Sequence, residues 1–516
     1  MSRALDPEQD TRSTTTSSGG WLSRERTIAA PGFNRWLIPP AALAIHLCIG
    51  QAYATSVYKI TLVEHFDSSL TALGVVFSIA IVMLGLSAAV FGTWVDTGGP
   101  RRAMVAAALC WSTGFLVGAV GIATSQLWLL YLGYGVIGGI GLGIGYISPV
   151  STLIKWFPDR PGLATGMAIM GFGGGALIAS PVSSVLLGIY GDDGAGVASL
   201  FVTFGVVYLL VMLMGAALVR VPADDWAPEG FDPSTTTSKS LVSTGHVSAK
   251  NSIKTPQFWL LWTVLFCNVT AGIGILEQAA PMITDFFREG SESSIKAATA
   301  AGFVGVLSLA NMVGRFVWSS TSDVIGRKPI YMVYLGVGIV AYVLLAVFGS
   351  SGVVLFALLA ALIISFYGGG FATVPAYLRD LFGTYQVGAI HGRLLTAWSA
   401  AGVAGPLIIN GFLDAQGTPG ELTSAAYRPA LFTMVGLLVV GFIANLLVRP
   451  VAERWHEHQD TVDKAKGTSS GGGQTGAVGS DVPSWLLPVA WTIVSVPLAY
   501  GVYKVLVTAS VLFTGS

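Results

Sequence analysis

The chain has 516 residues, of which 53% are hydrophobic and only 10% are charged, whereas soluble globular proteins are about 25% charged. Lysine and arginine (27) balance aspartate and glutamate (27), so no net charge predicts a nucleic acid or an acidic macromolecule as a partner. The three cysteines, Cys48, Cys110 and Cys267, fall inside apolar stretches, which indicates buried thiols and no disulfide framework. The composition predicts an all-α membrane protein.

Twelve apolar stretches, each long enough to cross a bilayer at about 20 residues, follow one another along the chain. They lie roughly at 36–61, 70–93, 103–123, 126–149, 162–188, 198–219, 257–283, 297–321, 329–349, 353–377, 388–412 and 428–448. This pattern predicts two six-helix halves, at 34–220 and 256–449, joined by a cytoplasmic linker at 221–255 that is rich in Ser, Thr, Pro and charge. The polar residues 1–33 are expected to form a disordered cytoplasmic N-terminus.

A polar linker at 450–483 precedes one more apolar segment at 484–516. We expect this segment to form an additional membrane helix, although Pro497, Gly501 and Lys504 interrupt it. A re-entrant or surface-lying segment is the alternative.

Basic residues are concentrated in alternate loops, and this bias predicts the orientation. With the N-terminus in the cytoplasm, the inner loops hold Arg101, Arg102, Lys155, Arg160, Arg220, Lys239, Lys250, Lys254, Arg327, Lys328 and Arg379. The opposite loops hold only Arg288, Lys296 and Arg428. We therefore expect a multi-pass protein of the inner or plasma membrane with a cytoplasmic N-terminus.

The densest glycine run, GGIGLGIGY at 138–146, lies inside the fourth apolar stretch. A phosphate-binding loop would need a strand before it and a helix after it. Instead, Gly135, Gly139 and Gly143 have the four-residue spacing that places small residues on one helix face. This spacing predicts close packing of two membrane helices.

Two sequence echoes relate the halves. Asp96, Gly99 and the Arg101–Arg102 pair follow the second stretch, and Asp323, Gly326, Arg327 and Lys328 follow the eighth, 227 residues later. The segments Pro149…Gly162-Leu-Ala-Thr-Gly166 and Pro375…Gly388-Ala-Ile-His-Gly392 repeat at an offset of 226. Two similar halves with a binding site between them are a common transporter plan.

These loops resemble the signature loop of the major facilitator superfamily. Within it, residues 146–158 (YISPVSTLIKWFP) and 161–176 (PGLATGMAIMGFGGGA) are similar to the oxalate/formate antiporter family, bacterial relatives of the monocarboxylate transporters. The resemblance covers about 33–450 and departs at Ser319, where glycine is usual, and at Pro100, where a basic residue is usual. It implies a secondary active transporter that moves small carboxylate anions by alternating access, as exchange or proton symport.

The signature loops also have a physical interpretation. An aspartate at a helix end can contact the N-terminus of another helix or nearby arginines, and such contacts can break when the conformation changes. The alternative is that the arginines only anchor the loops at the lipid headgroups. We expect a gating role for Asp96, Arg101, Arg102, Asp323, Arg327 and Lys328.

Arg315 is the strongest candidate for the substrate site. It lies eight residues before Asp323, roughly 12 Å of helix from the cytoplasmic end, and a guanidinium group can hold a carboxylate through two parallel hydrogen bonds. A snorkelling arginine is the alternative. Arg315 matches the eighth-helix arginine that the resembling transporters use to bind their anion. Asn311, one helical turn away, shares its face.

The resemblance also refines the substrate. Asn311 stands where related proton-linked carriers have an aspartate, and it cannot carry a proton. Trp398 stands where oxalate carriers have a second cation, a lysine. With one buried cation, a dicarboxylate would bring a net negative charge into the cavity. A monocarboxylate is therefore favoured and oxalate is disfavoured.

Other polar residues of the spans complete the predicted site. Gln51, Tyr53, Tyr146 and Tyr367 could line a small cavity with Trp398, since tyrosine hydroxyls donate to carboxylate oxygens; ordinary packing is the alternative for each. Lys59 and Glu277 would form an outer gate, with Glu277 as a proton acceptor, or be two unrelated interfacial charges.

The remaining alternatives concern the class of protein. His46 and His391 show no metal-ligand spacing, and neither receives a role. No nucleophile–base set or metal cluster appears in the sequence, so we expect neither an enzyme nor a cofactor. A channel would need a continuous polar stripe. A drug/proton antiporter is the alternative class of transporter. Such a protein usually relies on buried acids, whereas Glu277 is the only acid within the spans away from helix ends. A monomer in the bilayer is expected, as in the fold resembled.

Overall fold

A computed structural model describes residues 20–68, 70–223, 226–230, 243, 245–287, 297–416, 422–457, 483 and 485–509. Thirteen helices in these ranges are long and apolar enough to cross a membrane. In chain order they are α1 (Arg35–Thr55), α2 (Ala72–Gly98), α3 (Pro100–Ala123), α4 (Leu127–Trp156), α5 (Pro161–Tyr190), α6 (Gly194–Leu218), α7 (Pro256–Leu276), α8 (Phe303–Ile325), α9 (Arg327–Ser351), α10 (Val353–Phe382), α11 (Val387–Leu413), α12 (Ser424–Leu447) and α13 (Leu486–Val507).

Helices α1–α6 and α7–α12 form two halves that meet along two pairs of helices, α2 with α11 and α5 with α8. The turns after α2 and α8 are alike in both halves. Gly99 and Gly326 have φ angles of +86° and +94°, a backbone conformation that favours glycine. The expectation of an all-helical protein with twelve membrane helices and an extra C-terminal one is confirmed.

The glycine run packs helices, as predicted. Cβ atoms added to Gly139 and Gly143 would lie 2.8 Å from the Ala80 carbonyl oxygen and 2.2 Å from that of Leu84, both in α2. A side chain on either residue would therefore collide with backbone, and only glycine lets α2 and α4 approach this closely.

The first helix is not uniform. Its α-helical part, Ile38–Ile49, continues as a 3-10 helix over Gly50–Val57, and a short helix follows at Lys59–His65. A 3-10 helix has three residues per turn, so side chains two residues apart point about 120° away from each other.

The N-terminal segment is ordered further than the sequence predicts. The Ala29 amide donates to the Val221 carbonyl (2.9 Å) and the Val221 amide donates to that of Thr27 (2.8 Å), and Thr27 is fully buried. These backbone hydrogen bonds correct the predicted disorder for residues 20–33; residues 1–19 lie outside the described ranges. The C-terminal end of the predicted linker is held against α10 by a backbone hydrogen bond, which the Val247 amide donates to the Phe382 carbonyl (2.9 Å).

Helix α13 lies against α1, α5 and α8. Near its start, Trp491 Nε1 donates to the Trp36 carbonyl (3.1 Å). A Cβ on Gly501 would lie 2.4 Å from the Leu177 carbonyl oxygen of α5, and a Cβ on Gly305 of α8 would lie 2.8 Å from Val505. This helix therefore contacts both halves.

Candidate functional site

Arg315 lies at the centre of the bundle and is fully buried. Its Nε donates to Asn311 Oδ1 (2.9 Å) and its Nη1 donates to the Ile169 carbonyl of α5 (3.4 Å). No carboxylate among the described side chains pairs with it. Asn311 orients the guanidinium group without neutralising it, because an amide oxygen carries no full charge. The site therefore keeps one net positive charge.

Aromatic rings enclose this cation from both halves. The Arg315 Cζ atom lies 5.8 Å from the Phe172 ring centroid and 5.2 Å from that of Phe371. The Trp398 ring packs 4.5 Å from Phe371, and Tyr146 packs 5.7 Å from Trp398. The ring faces offer weak cation–π attraction but no hydrogen-bond acceptor that would satisfy the guanidinium group.

Five buried polar atoms converge on this region, and none has a well-formed hydrogen bond to a described residue, although the Tyr53 and Tyr367 hydroxyls interact with each other. The five atoms are Arg315 Nη2, Tyr53 Oη, Tyr146 Oη, Tyr367 Oη and Trp398 Nε1. The first and last can only donate, and the hydroxyls can donate. The Arg315 charge acts electrostatically on all three tyrosines. Buried donors without partners are costly, and a small anion would satisfy them. We call these five residues the central site.

Tyr53 and Tyr367 reach the central site from opposite halves. The Tyr53 ring meets the Phe172 ring edge-on at 5.2 Å. Tyr367 of α10 packs against Gly272 of α7, where a Cβ would lie 2.4 Å from its ring. Glycine at this position leaves room for the tyrosine, so the approach of α7 and α10 fixes where its hydroxyl lies.

Not every predicted site residue lies there. The structure places Gln51 inside the N-terminal half, where its Nε2 donates to Tyr58 Oη (2.8 Å) and its Oε1 accepts from Tyr134 Oη (3.1 Å). Residues two apart on a helix point in different directions, so Gln51 does not share the face that carries Tyr53. Lys59 starts the short helix after α1, with its Nζ 3.8 Å from the Cβ position of Gly74. The side chain of Glu277 lies outside the described part of the structure.

The signature-loop aspartates connect the two halves. Asp323 accepts hydrogen bonds from the Gly162 and Leu163 amides, each at 2.8 Å, at the N-terminus of α5. Asp96 accepts from the Ala389 amide (2.9 Å) at the N-terminus of α11. Each carboxylate thus binds the unpaired N–H groups of a helix in the opposite half, where the helix dipole favours negative charge.

The basic residues of these loops hold their own halves together instead. Arg101 Nε donates to the Ala216 carbonyl at the end of α6 (3.2 Å). Lys328 Nζ donates to the Leu446 carbonyl at the end of α12 (2.7 Å). Arg102 is exposed. These contacts satisfy orphan carbonyls of helix C-termini.

Arg327 supports the Asp323 contact from within the C-terminal half. Its Nη2 donates to Asp323 Oδ1 (2.6 Å) and its Nε donates to Asp380 Oδ2 (3.1 Å). A guanidinium group fixed by two carboxylates holds Asp323 in position against α5.

Four of the five residues of the central site are buried in this conformation, and Tyr53 is partly exposed. Arg315, Tyr146 and Trp398 have no exposed surface, and Tyr367 is 1% exposed. The Asp96 and Asp323 contacts join the halves at the end of the bundle that carries both loops, which we call the loop side. A substrate would reach Arg315 only after the halves move.

Sequence reasoning missed two residues that shape the site, Phe172 and Phe371. Both stand beside glycines, in GFGGG at 171–175 and GGGF at 368–371. A Cβ on Gly173 would lie 3.3 Å from Arg315 Nε. A lone aromatic residue inside a glycine run was the available signal, because glycines admit the neighbouring helix and leave the ring as the wall.

The sequence model of the Major Facilitator Superfamily matches residues 41–406 and, in a second alignment, 290–515. The chain is 26% identical over 419 residues to the oxalate:formate antiporter of Oxalobacter formigenes, which covers 81% of this chain and 93% of that protein. It is 26% identical over 348 residues to apicoplast pyruvate carrier 1 of Toxoplasma gondii, covering 58% and 62% of the two chains.

Other similarities are shorter or structural. Monocarboxylate transporter 11 of Homo sapiens is 29% identical over 196 residues, covering 37% of this chain and 40% of that protein. The E. coli fucose:proton symporter superimposes with a TM-score of 0.57 at 15% identity, over 80% of this chain and 99% of that one. A bacterial homologue of the iron transporter ferroportin gives a TM-score of 0.57 at 14% identity, covering 82% and 99%. At this identity the structural likeness concerns the fold alone.

Proposed function

Because this chain belongs to the major facilitator superfamily and is a multi-pass membrane transporter, not an enzyme, we propose that it carries small monocarboxylate anions by alternating access. The observation that carries the proposal is the central site. A buried guanidinium group without a described carboxylate partner is surrounded by donors that lack acceptors. A carboxylate supplies both the charge and the acceptors that this site needs.

The charge of the site favours a monocarboxylate over a dicarboxylate. Arg315 is balanced by one negative charge, and a second would be buried without a partner at a cost of several kcal/mol, on the order found for isolated buried ions. The indole of Trp398 is neutral and fills the side of the site against Phe371. The names of the relatives, which include formate, pyruvate and monocarboxylates, support the same substrate class.

Alternating access follows from how the halves are joined. The loop side is held by Asp96 and Asp323 against helix N-termini of the opposite half, and these contacts can open as a unit. The distribution of basic residues supports placing the loop side in the cytoplasm of the cell, in the plasma membrane. The protein would work as a monomer, with exchange or proton symport as its mode.

The first test is uptake into proteoliposomes that contain the purified full chain. Labelled formate, acetate, lactate, pyruvate and oxalate are each offered, with and without a carboxylate trapped inside. We expect uptake of at least one monocarboxylate and little uptake of oxalate. Acceleration by trapped carboxylate would indicate exchange.

Arg315→Gln should lose about 3 kcal/mol of anion binding, on the order of a 100-fold fall in uptake, because two charge-assisted hydrogen bonds disappear. Arg315→Lys keeps the charge but not the planar pair of donors, so we expect an intermediate loss. Arg315→Gln should unfold at a temperature no lower than wild type, since it removes a buried unpaired charge. Undiminished uptake by the well-folded Gln variant would contradict the anion site.

A further inference from the structure

His46 is a fully buried histidine of α1 with an unusual pair of partners. Its Nδ1 lies 2.5 Å from the Ala168 carbonyl oxygen of α5, and its Nε2 lies 3.1 Å from the Tyr146 carbonyl oxygen of α4. Both partners can only accept hydrogen bonds. A neutral imidazole has one N–H group, whereas an imidazolium has two. The protonated ring can donate to both carbonyl oxygens, whereas the neutral ring leaves one of them without a donor.

The pocket adjoins the central site, and its other charged or titratable neighbours are few. Tyr146 of α4 packs with its ring 5.3 Å from that of His46. Arg315 of α8 and His391 of α11 act on it electrostatically. From α6, Tyr208 interacts with Cys48 and Tyr58 instead. Lys504 of α13 lies over the Tyr500 ring, on an exposed part of that helix. No described carboxylate faces His46.

Two opposing effects act on a proton at His46. The carbonyl oxygens of Ala168 and Tyr146 favour the imidazolium, while burial and the unneutralised charge of Arg315 disfavour it. A carboxylate bound to Arg315 removes the second of these obstacles. Binding of the anion therefore strengthens binding of the proton, and by linkage the proton strengthens binding of the anion by the same factor.

We propose that His46 binds the proton that travels with the carboxylate, which makes transport an electroneutral symport of one proton with one monocarboxylate anion. The proposal rests on the proposed function and adds the residue that couples it to a proton gradient. The proton enters as the anion binds to Arg315, and it leaves when the anion has been released. Asn311 need not take part, since its amide does not titrate.

The first experiment measures protons directly. Pyruvate is added to purified wild-type protein in a weakly buffered solution near pH 7.5, and proton uptake is followed with a pH indicator while tryptophan fluorescence reports binding. We expect close to one proton taken up per pyruvate bound, with an affinity that rises up to about tenfold for each unit of falling pH. Pyruvate binding without proton uptake would overturn the proposal and leave the anion site intact.

Two glutamine variants then locate the proton. His46→Gln should bind pyruvate without taking up a proton, because an amide still donates to one carbonyl but cannot gain charge. His391→Gln is the matched control: His391 is also buried and also packs against Tyr146, at 5.8 Å, but its Nε2 has no partner among the described residues. This control should take up protons as wild type does. Equal proton uptake by His46→Gln and wild type would overturn the assignment.

Transport assays separate this proposal from the proposed function. In proteoliposomes with the membrane potential clamped, His46→Gln should exchange pyruvate within about threefold of the wild-type rate but fail to accumulate it against a proton gradient. Accumulation by this variant at the wild-type level would overturn the role of His46. Unimpaired exchange by Arg315→Gln would instead contradict the carboxylate site. If His46→Gln proves unstable, the wild-type proton count still decides whether a proton binds with pyruvate.

Discussion

Arg315 is held so that one part of its guanidinium group stays available. Asn311 Oδ1 accepts a hydrogen bond from Nε, and the Ile169 carbonyl accepts one from Nη1. Nη2 has no described partner. An aspartate at position 311 would have neutralised the charge and competed with any substrate carboxylate. The asparagine keeps the orientation and leaves the positive charge of Arg315 unneutralised, so under the proposed function the selectivity of the site would depend on the residues around this one cation.

Trp398 is the residue that we expect to exclude dicarboxylates. Trp398→Lys would place a second cation beside Phe371 and Tyr146, where a dianion could balance both charges. We expect the ratio of oxalate to formate uptake to rise about tenfold or more, equivalent to about 1.4 kcal/mol. The measurement is competitive uptake of the two labelled anions into proteoliposomes.

A neutral control separates charge from space in that comparison. Trp398→Met also removes the indole but adds no charge, and its flexible side chain fills the gap. If Trp398→Met raises the ratio of oxalate to formate uptake as much as Trp398→Lys does, the indole excludes oxalate by its size, and the charge argument fails.

At the scale of residues, the sequence displays chemical signals more clearly than geometric ones. Arg315 stands out because a charge inside an apolar stretch is rarely tolerated without a function. Gln51 looks equally suitable in sequence, but its amide hydrogen-bonds Tyr58 and Tyr134 within the N-terminal half. His46 received no role because its partners are backbone carbonyls, which no sequence motif displays.

At the scale of helices, the two sequence echoes contact each other across the interface between the halves. Asp323 of the first echo binds the amides of Gly162 and Leu163 in the second, and Asp96 binds that of Ala389. The repeat was visible in sequence as two offsets. The crossing between halves was not, because repeat spacing shows which residues are equivalent and says nothing of which touch.

Loss of the Asp323 contact should open the loop side. Asp323→Ala removes the two charge-assisted hydrogen bonds across the interface, about 1.5–3 kcal/mol each before water replaces them, and also the bond from Arg327 within the C-terminal half. We expect a Thr165→Cys reporter, which lies buried between α5 and α8, to react with a maleimide on the order of tenfold faster. The three native cysteines are replaced in this background. Asp323→Asn should have a smaller effect, because its amide oxygen still accepts one bond.

Asp285 provides a matched control for this experiment. It accepts a hydrogen bond from Tyr427 Oη (2.7 Å), and both residues belong to the C-terminal half. Asp285→Asn removes the same charge without touching the interface, so the reporter should react as in the parent. Equal acceleration by both variants would indicate general loosening of the fold and would count against a latch at Asp323.

At the scale of the whole molecule, α13 adds a connection that crosses the same interface on its outer face. The first part of α13 contacts Trp36, near the start of α1. Further along, α13 packs against Leu177 of α5, and its last turn contacts Gly305, near the start of α8. When α5 and α8 move apart, α13 cannot keep both sets of contacts. Leu177 and Gly305 lie towards the ends of α5 and α8 that are away from the loops, so these contacts stabilise states in which that opposite end of the bundle is closed.

Removing α13 should shift the population away from the loop-side-open state, because that state keeps the opposite end of the bundle closed. In a chain truncated after residue 457 we expect the Thr165→Cys reporter to react about 3- to 10-fold more slowly, equivalent to about 1 kcal/mol. Gly501→Leu should act in the same direction in the full chain, because its side chain would collide with the Leu177 carbonyl of α5. Gly436→Leu is the control, since a side chain there meets open space. If truncation lowers the melting temperature but leaves the labelling rate unchanged, α13 supports the fold in both states equally and does not bias the transport cycle.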